Sequence, residues 1–406
     1  MNIGMLLNGS YPADIRVRKE AETLVKDHAV FILCKRNADE KEYELVNGVQ
    51  VIRKIEYRSL AHEGIMDVLA SVNFTHPFFK EHLPYFILEN RIDVLHVHDL
   101  PLAKTAFLAA NKYHLKTVLD LHENYPAALM TWFSWRKNPI IRLKNKLFFG
   151  YKRWSNYESR IVKKFTIVIA VVDEMKQRLV EQHQLAAERI VVVPNSEKKE
   201  FSSNFAVETP NYFDNLQDRF IISYVGGFGP HRGLHTAILA MKIIVKTIPN
   251  ALLVLVGPAN SDVRKYLQDL IVENGLENFV QIRGKAPFSS VVNIMKSSAV
   301  NCIPHISNEH TESAVPHKFY QILLSGKPLL VSDCAPMKRL VANYDMGTYF
   351  ESENPVSFAH AILEIHSEYK GALEKAKRGH DIALNGNLNW ESTSKNLVHL
   401  YNNLLN

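Results

Sequence analysis

Short apolar runs alternate with longer helical patterns along the whole chain, and this alternation restricts the fold more than any other feature. A first series of runs extends from Ile3–Leu7 to Ile190–Val193, and a second series begins at Phe220–Val225. Apolar runs without polar alternation are typical of strands buried on both faces, and strand–helix alternation indicates a parallel, doubly wound sheet. The sequence therefore predicts an α/β protein with two such sheets.

A polar stretch without helical periodicity, Asn195–Gln217, separates the two series. We place an inter-domain linker at 196–217, between an N-terminal domain of residues 1–195 and a second domain of residues 218–388, and we predict a helix in residues 389–406. In open α/β sheets, ligands bind outside the carboxyl ends of the strands. We therefore expect the functional residues in the loops that follow the strands.

Composition argues against several classes of protein. The longest apolar stretch, Ile167–Val172, is far shorter than the roughly 18 residues that suggest a membrane span. The chain begins without a basic leader, and its three widely separated cysteines favour neither a disulfide framework nor a cysteine zinc site. We therefore expect a cytoplasmic protein.

Positive charge is concentrated in one segment. The 48 Lys and Arg residues against 42 Asp and Glu give a net charge of +6, but Trp135–Lys164 alone holds ten basic residues and a single acid, Glu158. A nucleic-acid-binding protein is usually basic over a broad face and carries a recognisable reading motif, and the sequence has none. We expect no nucleic acid partner.

A glycine-rich loop, Tyr224–Leu234, follows the first strand of the second series. Its glycines let backbone amides approach an anion, the following helix adds a positive dipole end, and Arg232 adds a permanent charge. The loop lacks the spacing of a Walker or a dinucleotide motif. It predicts either a phosphate site or a tight structural turn.

A second loop, Glu312–Gln321, opens a helix that Gly326 and Pro328 end. We predict that Ser313 is the N-cap of this helix and that Lys318 neutralises a second phosphate oxygen. The alternative is a capped surface helix with a solvated lysine.

Histidines occur in and after two strands of the first series. His96 and His98 alternate with apolar residues inside a strand, which favours a structural role, whereas His122 follows a strand end and can donate to a sugar hydroxyl or a developing charge. The sequence contains neither a His-Glu-x-x-His motif nor an Asp-x-Asp pair. We expect no catalytic metal.

Taken in order, these loops resemble the retaining GT-B glycosyltransferases of family 4. The resemblance covers nearly the whole chain and rests on the segments Gly9–Pro12, Asp14–Ala21, His96–Asp99, Asp120–Glu123, Val192–Asn195, Tyr224–Leu234 and Ser325–Pro328. It implies two Rossmann-like, doubly wound parallel-sheet domains facing across a cleft. It also implies a nucleotide-diphosphate sugar, UDP- or GDP-linked, bound mainly by the C-terminal domain, an acceptor bound mainly by the N-terminal domain, retention without a metal, and a terminal helix that crosses back to the first domain.

The resemblance also assigns residues to these roles. It places Gly9 near the diphosphate, His122 near the donor sugar, Arg232 on the phosphates and Gly284 near the base. On the acceptor side, the residues in the matching segments are Tyr11, Asp14, Arg16, Asp99 and Glu123.

The donor side departs from the family in two ways. Gly227 stands where the family often has a second phosphate arginine, and we expect Lys318 to compensate. We predict that Gly227, Pro316 and Lys318 are all donor-binding residues. The family's paired glutamates correspond here to Ser313 and Gln321. Gln321 can still bond a ribose hydroxyl, although without a charge.

We therefore predict a hexosyltransferase that moves a sugar from a nucleotide-diphosphate sugar to a glycan or lipid-linked glycan of the cell envelope. Arg232, Lys318 and helix-terminal amides would stabilise the leaving diphosphate, and the acceptor hydroxyl would attack on the front face. Two rival predictions are a sugar-nucleotide epimerase and a non-catalytic binding subunit, the latter favoured by the missing glutamates. The candidate epimerase carboxylates are Asp99, Asp120 and Glu123.

The basic segment predicts an amphipathic helix, because apolar residues recur at helical spacing with the basic residues beside them. Three interpretations stay open: Trp132–Lys164 lies on an anionic membrane, the stripe packs on the domain core, or the patch meets an acidic acceptor. Our hypothesis is a lipid-linked acceptor at the cytoplasmic face of the membrane. The stripe consists of Ile140, Leu143, Leu147, Tyr151 and Trp154.

Overall fold

The computed structural model describes residues 1–55, 60–134, 138–203, 212–213, 216 and 218–404, with side chains left undescribed at 60–64, 67 and 140. Trp135, Arg136 and Lys137 of the basic segment and part of the predicted linker lie outside the described residues. The chain divides into two compact units, the first made of Met1–Pro194 with Ser394–Asn406 and the second of Asn195–Thr393.

A largely parallel sheet forms the centre of the first unit. Its strands are β1 (Asn2–Leu7), β2 (Ala29–Lys35), β3 (Tyr43–Val46), β4 (Val49–Lys54), β5 (Val94–His98), β6 (Lys116–Leu121), β7 (Ile167–Ala170) and β8 (Ile190–Val192). They lie in the order β3-β4-β2-β1-β5-β6-β7-β8, and only the β3–β4 pairing among the described strands is antiparallel. The helices are α1 (Ile15–Leu24), α2 (Leu60–Asn73), α3 (Pro77–Glu89), α4 (Ala103–Tyr113), α5 (Tyr125–Phe133), α6 (Pro139–Phe148), α7 (Tyr151–Ile161) and α8 (Asp173–His183).

The second unit repeats this plan with a parallel sheet. Its strands are β9 (Phe220–Val225), β10 (Ala251–Val256), β11 (Val280–Arg283), β12 (Val300–Ile303), β13 (Leu329–Ser332) and β14 (Thr348–Phe350), in the order β11-β10-β9-β12-β13-β14. Its helices are α9 (Leu234–Thr247), α10 (Ser261–Glu273), α11 (Val291–Ser297), α12 (His317–Ser325), α13 (Ala335–Tyr344), α14 (Pro355–Ser367) and α15 (Tyr369–Asn385). A final helix, α16 (Trp390–Leu404), starts in the second unit and continues into the first.

Short 3-10 turns connect several of these elements. They are Leu100–Leu102, Val162–Lys164, Ala187–Arg189, Lys199–Ser202, Pro230–Arg232, Phe288–Ser290 and Thr311–Ser313. Residues 196–203, which we predicted to be linker, belong to the second unit and contain the turn Lys199–Ser202.

The predicted α/β class with two doubly wound sheets is confirmed. Every residue of the interior strand β10 is buried, as expected for a strand covered on both faces. In each sheet the strand order reverses beside the first strand, between β1 and β5 and between β9 and β12. Ligands in this architecture bind at the carboxyl edge of that reversal, where the loops after β1, β5, β9 and β12 begin.

The basic segment folds differently from our prediction of one continuous helix. Gly150 has extended backbone angles and separates α6 from α7. On α6 the side chains of Leu143 and Leu147 are 60% and 58% exposed, whereas on α7 the side chain of Trp154 is buried. The stripe therefore packs on the core at Trp154, whereas its described residues on α6, Leu143 and Leu147, face solvent. Within the described ranges, no helix is long and apolar enough to cross a membrane.

Candidate active site

A buried carboxylate, Asp120, lies at the carboxyl end of β6 and orients the side chains around it. Arg16 from α1 donates to both of its oxygens, from Nε to Oδ2 at 2.9 Å and from Nη2 to Oδ1 at 2.7 Å. His122 Nε2 lies 2.8 Å from Oδ2. Burial alone would raise the pKa of Asp120, but the positive charges of Arg16 and His122 hold that pKa well below its usual range. Asp120 is therefore an ionised anchor for both side chains.

His122 lies between two carboxylates. Its Nε2 contacts Asp120, and its Nδ1 is 3.4 Å from Asp99 Oδ2. Burial disfavours the charged ring, but the two carboxylates outweigh it and raise the pKa of His122 to about 10. Burial also raises the pKa of Asp99 to about 6, against the charge of His122. His122 is therefore an imidazolium with a proton on each ring nitrogen. The Nδ1–H contact with Asp99 is longer than the Nε2–H contact with Asp120, so a ligand can replace Asp99 more easily than Asp120.

A second buried group lies beside this pair. Glu20 from α1 is 2.9 Å from Arg16 Nη2 and 3.5 Å from His96 Nε2, and His96 Nδ1 is 2.7 Å from the Tyr401 hydroxyl. Burial raises the pKa of Glu20 to about 8 despite Arg16, and burial lowers the pKa of His96 well below its usual range. The structural role predicted for His96 is confirmed by these contacts.

These side chains include a group with the composition of a metal site. Glu20, His96, His98 and Asp120 present ligand atoms that all lie within 4.8 Å of one another. However, the Arg16 guanidinium contacts both carboxylates, so a cation placed here would meet a fixed positive charge. We therefore assign this cluster to binding the arginine. His98 Nδ1, 3.3 Å from Asp120 Oδ2, completes it.

In the second unit, Lys318 is a buried amine whose Nζ finds no hydrogen-bond partner among the described residues. The Nζ lies 3.7 Å from the centroid of the Tyr224 ring, and the Tyr224 hydroxyl donates to the Gly227 carbonyl at 2.8 Å. Gly226 has a φ of +143°, and a Cβ there would collide with Nζ, so a glycine makes room for the lysine. Burial, aided by the charge of Arg232, lowers the pKa of Lys318 well below its usual range.

Arg232 closes the same loop and is held in place by a histidine. Its Nη1 lies 2.9 Å from His305 Nε2. Because a guanidinium can only donate, His305 accepts at Nε2 and carries its proton on Nδ1. Burial and the charge of Arg232 lower the pKa of His305 well below its usual range, in agreement with a neutral ring. Gly233 follows at a φ of +62°, where a Cβ would overlap the carbonyl oxygen of Pro304.

Two cations therefore lie in the loop and helix next to the strand reversal of the second sheet. In the part of the chain that the structure describes, no carboxylate contacts Arg232 or Lys318. Cations that are partly or fully buried usually have an acidic partner, because removing an unpaired charge from water costs free energy. The missing partner is what an anionic ligand such as a diphosphate would provide.

Two family descriptions match the chain, one in each half. "Glycosyltransferase Family 4" matches residues 14–196, and "Glycosyl transferases group 1" matches residues 210–380. The chain belongs to the family 4 glycosyltransferases of GT-B fold. This confirms the predicted family and fold.

Related sequences and solved structures of glycosyltransferases and similar enzymes match nearly the whole chain. An uncharacterized glycosyltransferase of Methanocaldococcus jannaschii is 24% identical over 94% of this chain and 91% of that protein. Sucrose-phosphate synthase from Thermosynechococcus elongatus superposes with a TM-score of 0.77 at 16% identity, covering 100% of this chain and 99% of that one. The Anabaena protein HepE, solved in complex with UDP-glucose, gives a TM-score of 0.73 at 14% identity and 99% coverage of both chains. At these identities the solved structures establish the fold.

In this glycosyltransferase, a carboxylate that the sequence analysis missed lies against Gln321. Gln321 Nε2 donates to Glu197 Oε2 at 2.9 Å, and both side chains are buried. The other carboxylate oxygen accepts from the backbone N–H of Lys198 at 2.9 Å. Because the amide nitrogen is fixed on Glu197, the Gln321 carbonyl oxygen is left as the free end of the amide. Glu197 was missed because it lies in the polar segment that we took for linker.

The donor-side glycines differ in what surrounds them. A Cβ on Gly227 or Gly284 would meet no atom within 4 Å, and one on Gly9 would touch only its neighbour Leu7 at 3.8 Å. Packing therefore does not require glycine at these positions, and space is open beside each backbone.

Ser313 is not the N-cap of α12, contrary to our prediction. Its hydroxyl donates to the Glu309 carbonyl at 2.8 Å inside a 3-10 turn, and Pro316 occupies the cap position without a side-chain bond. Proline can occupy this position because its carbonyl still accepts the first helical bond. Gly326 does end the helix, as predicted, and its backbone is in the left-handed conformation.

Two acceptor-side assignments are corrected by burial. The side chain of Tyr11 is 0% exposed, and Arg16 uses its guanidinium on Asp120, Glu20 and a backbone carbonyl. Neither side chain is available to an acceptor, so we assign both to the structure of the unit. Asp14 caps α1 by accepting from two backbone N–H groups.

Asp99 and Glu123 remain our acceptor-side candidates. The side chain of Asp99 is 38% exposed beside His122, and Glu123 directly follows that histidine and is half-buried. Both carboxylates are thus open to solvent at the carboxyl edge of the first sheet.

Proposed function

We propose that this protein transfers a sugar from a nucleotide-diphosphate sugar to a glycan or lipid-linked glycan, with retention of anomeric configuration and without a metal ion. The observation that carries the proposal is the pair of cations, Arg232 and Lys318, at the carboxyl edge of the second sheet, where neither has an acidic partner among the described residues. The UDP-glucose complex of the similar Anabaena protein supports a nucleotide sugar as the ligand class.

The two cations provide what the departing group needs. As the sugar–phosphate bond breaks, the diphosphate gains negative charge, and nearby fixed donors stabilise that charge. Arg232 is permanently charged. A bound anion raises the lowered pKa of Lys318, so the amine takes up a proton when the anion binds. Two such cations supply the charge neutralisation that a divalent metal would otherwise give.

The first unit supplies a side chain that can bind the sugar. We assign His122 to a sugar hydroxyl through its Nδ1–H, which has only the 3.4 Å contact to Asp99 to give up. Asp120 is buried and already bonded by Arg16, His98 and His122, so it is not free to attack the sugar as a nucleophile. This supports front-face attack by the acceptor hydroxyl, which retains the configuration.

The test begins with thermal unfolding of the protein in the presence of UDP, GDP, ADP and their sugar conjugates. A ligand at ~100 times its dissociation constant stabilises the native state by about 2.7 kcal/mol, so the correct nucleotide raises the unfolding midpoint. With that donor, glycan and lipid-linked acceptors are then screened. The correct acceptor should cause release of free nucleotide diphosphate and form a linkage with the same anomeric configuration as the donor, measured by proton NMR. Activity should persist in EDTA.

Arg232→Ala should lower kcat/KM at least ~10-fold, equivalent to about 1.4 kcal/mol of barrier. The matched control is Arg264→Ala, because Arg264 is an exposed arginine of the same unit on α10. An Arg232 variant as active as the control, or no midpoint shift with any nucleotide, would contradict the proposal. Conversion of the donor into a second nucleotide sugar, without release of free nucleotide diphosphate, would favour an epimerase instead.

A further inference from the structure

A cavity of about 490 Å³ lies in the helix layer of the first unit, between α4 and α7. Its apolar wall consists of Phe74, Phe107, Leu108, Tyr157 and Ile161. The volume is within the range of sites that hold small organic ligands. None of its lining residues belongs to the candidate active site, so the cavity needs an explanation of its own.

Four cations line the same cavity: Lys104, Arg153, Arg160 and Lys164. Three of them are held by neutral groups. Lys104 Nζ donates to a backbone carbonyl at 2.7 Å, the Arg153 guanidinium lies 4.8 Å from the centroid of the Phe74 ring, and Lys164 Nζ lies 5.3 Å from that of Phe107. None of the described lining residues is acidic. Aromatic faces and carbonyls thus hold the cations at the wall without neutralising them.

The single acid of the basic segment does not compensate for this charge. Glu158 is fully buried and is bonded by Arg178 at 2.7 Å and by His183 at 2.8 Å. These partners, with burial acting against them, lower the pKa of Glu158 to about 2, so its charge is already paired. The cavity therefore combines an apolar wall with a positive rim that no described acidic side chain compensates, which matches a ligand that has an anionic head and a hydrocarbon body.

We propose that this cavity binds one anionic phospholipid, with its phosphate among Arg160, Lys164 and Lys104 and the first part of an acyl chain along Phe107 and Leu108. The proposal rests on the lipid-linked acceptor of the proposed function and gives its membrane contact a defined site. Leu108 is 50% exposed and forms an open edge through which a chain can leave the cavity.

The neighbouring helix favours a lipid over a free phosphate. Arg153 Nη1 lies 3.4 Å from the carbonyl of Leu147, so the cavity wall continues into the end of α6. There the exposed Leu143 and Leu147 alternate with Lys144 and Lys146, the pattern of a helix that lies on an anionic bilayer. A soluble phosphate would use the cations and leave all this apolar surface in water.

The test compares two double variants that remove the same charge from the same segment. Arg160→Gln with Lys164→Gln removes two cations of the cavity, and Lys152→Gln with Lys163→Gln removes two exposed lysines outside it. Binding is measured by calorimetry with monomeric dihexanoyl-phosphatidylglycerol, with dihexanoyl-phosphatidylcholine and glycerol 3-phosphate as comparisons. The cavity variant should bind phosphatidylglycerol at least about tenfold more weakly, the effect of losing one charged hydrogen bond, and the control less than about threefold.

Leu108→Asn separates the apolar contribution from the charge. This exposed substitution leaves every cation in place and should still weaken lipid binding. Equal losses in the two double variants would show diffuse attraction and overturn the proposal, as would glycerol 3-phosphate binding as tightly as the lipid. The nucleotide-induced midpoint shift should be unchanged in all three variants, so a failure of lipid binding is distinguishable from a failure of the proposed transferase.

Discussion

Replacing Lys318 by methionine should stabilise the empty protein while weakening its binding of nucleotide. A buried polar group without a partner costs about 1–3 kcal/mol. The Tyr224 ring under Nζ returns about 0.5–2 kcal/mol when the amine is charged, and less here because burial lowers its pKa. Methionine has a similar length and no buried donor. We therefore expect the free energy of unfolding to rise by about 1–2 kcal/mol.

Thermal unfolding with and without UDP or GDP measures both effects. For a unit of this size, about 1–2 kcal/mol corresponds to a midpoint raised by roughly 2–8 °C, and the ligand-induced shift should shrink or disappear. The control is Lys246→Met, because Lys246 is exposed on α9 and should leave both quantities unchanged. A lower midpoint for Lys318→Met, or an undiminished shift with ligand, would refute the reasoning.

The same lysine predicts proton uptake on binding. In the free protein the pKa of Lys318 is lowered, and an anion beside the amine raises it again. At a pH between these two pKa values, the Lys318 amine takes up a proton when the ligand binds, so affinity falls as the pH rises from the pKa of the free amine to that of the bound amine. Calorimetry in two buffers of different ionisation enthalpy should give different apparent heats, and Lys318→Met should abolish the difference.

Three further predictions concern the buried polar pairs and one turn. Gln321→Glu should lower the unfolding midpoint, since it sets two carboxylates against each other, and adding Glu197→Gln should restore it; a double variant as unstable as the single one contradicts this. Asp99→Asn should lower the pKa of His122 from about 10, followed by NMR titration of the ring protons, and an unchanged pKa would remove Asp99 as a cause. Gly233→Ala should destabilise the protein by about 2–4 kcal/mol, because a Cβ there overlaps a backbone carbonyl, and near-wild-type denaturant unfolding would refute the overlap.

The sheets were predictable from the sequence because their strands are short apolar runs between turn residues. The predicted run Phe220–Val225 coincides with β9. By contrast, β3 (Tyr43–Val46) was missed because it is an exposed edge strand without an apolar run. The break at Gly150 was missed because the helical spacing of apolar residues continues across it.

The candidate site was predictable only where a single loop carries the signal. The glycines and Arg232 lie in one loop, and Lys318 opens one helix. The pairs that orient the site are distant in sequence: Arg16 and Asp120 are 104 residues apart, and Glu197 and Gln321 are 124 apart. Such pairs depend on the folded sheets, and no local spacing can reveal them.

The contact between His96 and Tyr401 has a consequence for synthesis of the chain. The two residues are 305 positions apart, and both are buried in the first unit. At about 5–20 residues per second, the ribosome needs roughly 15–60 s to make the chain between them. Throughout that interval His96 on β5 lacks the Tyr401 hydroxyl that it contacts in the folded protein. The whole second unit is translated before Tyr401. The part of the protein that is translated earliest is therefore the part whose core is completed last.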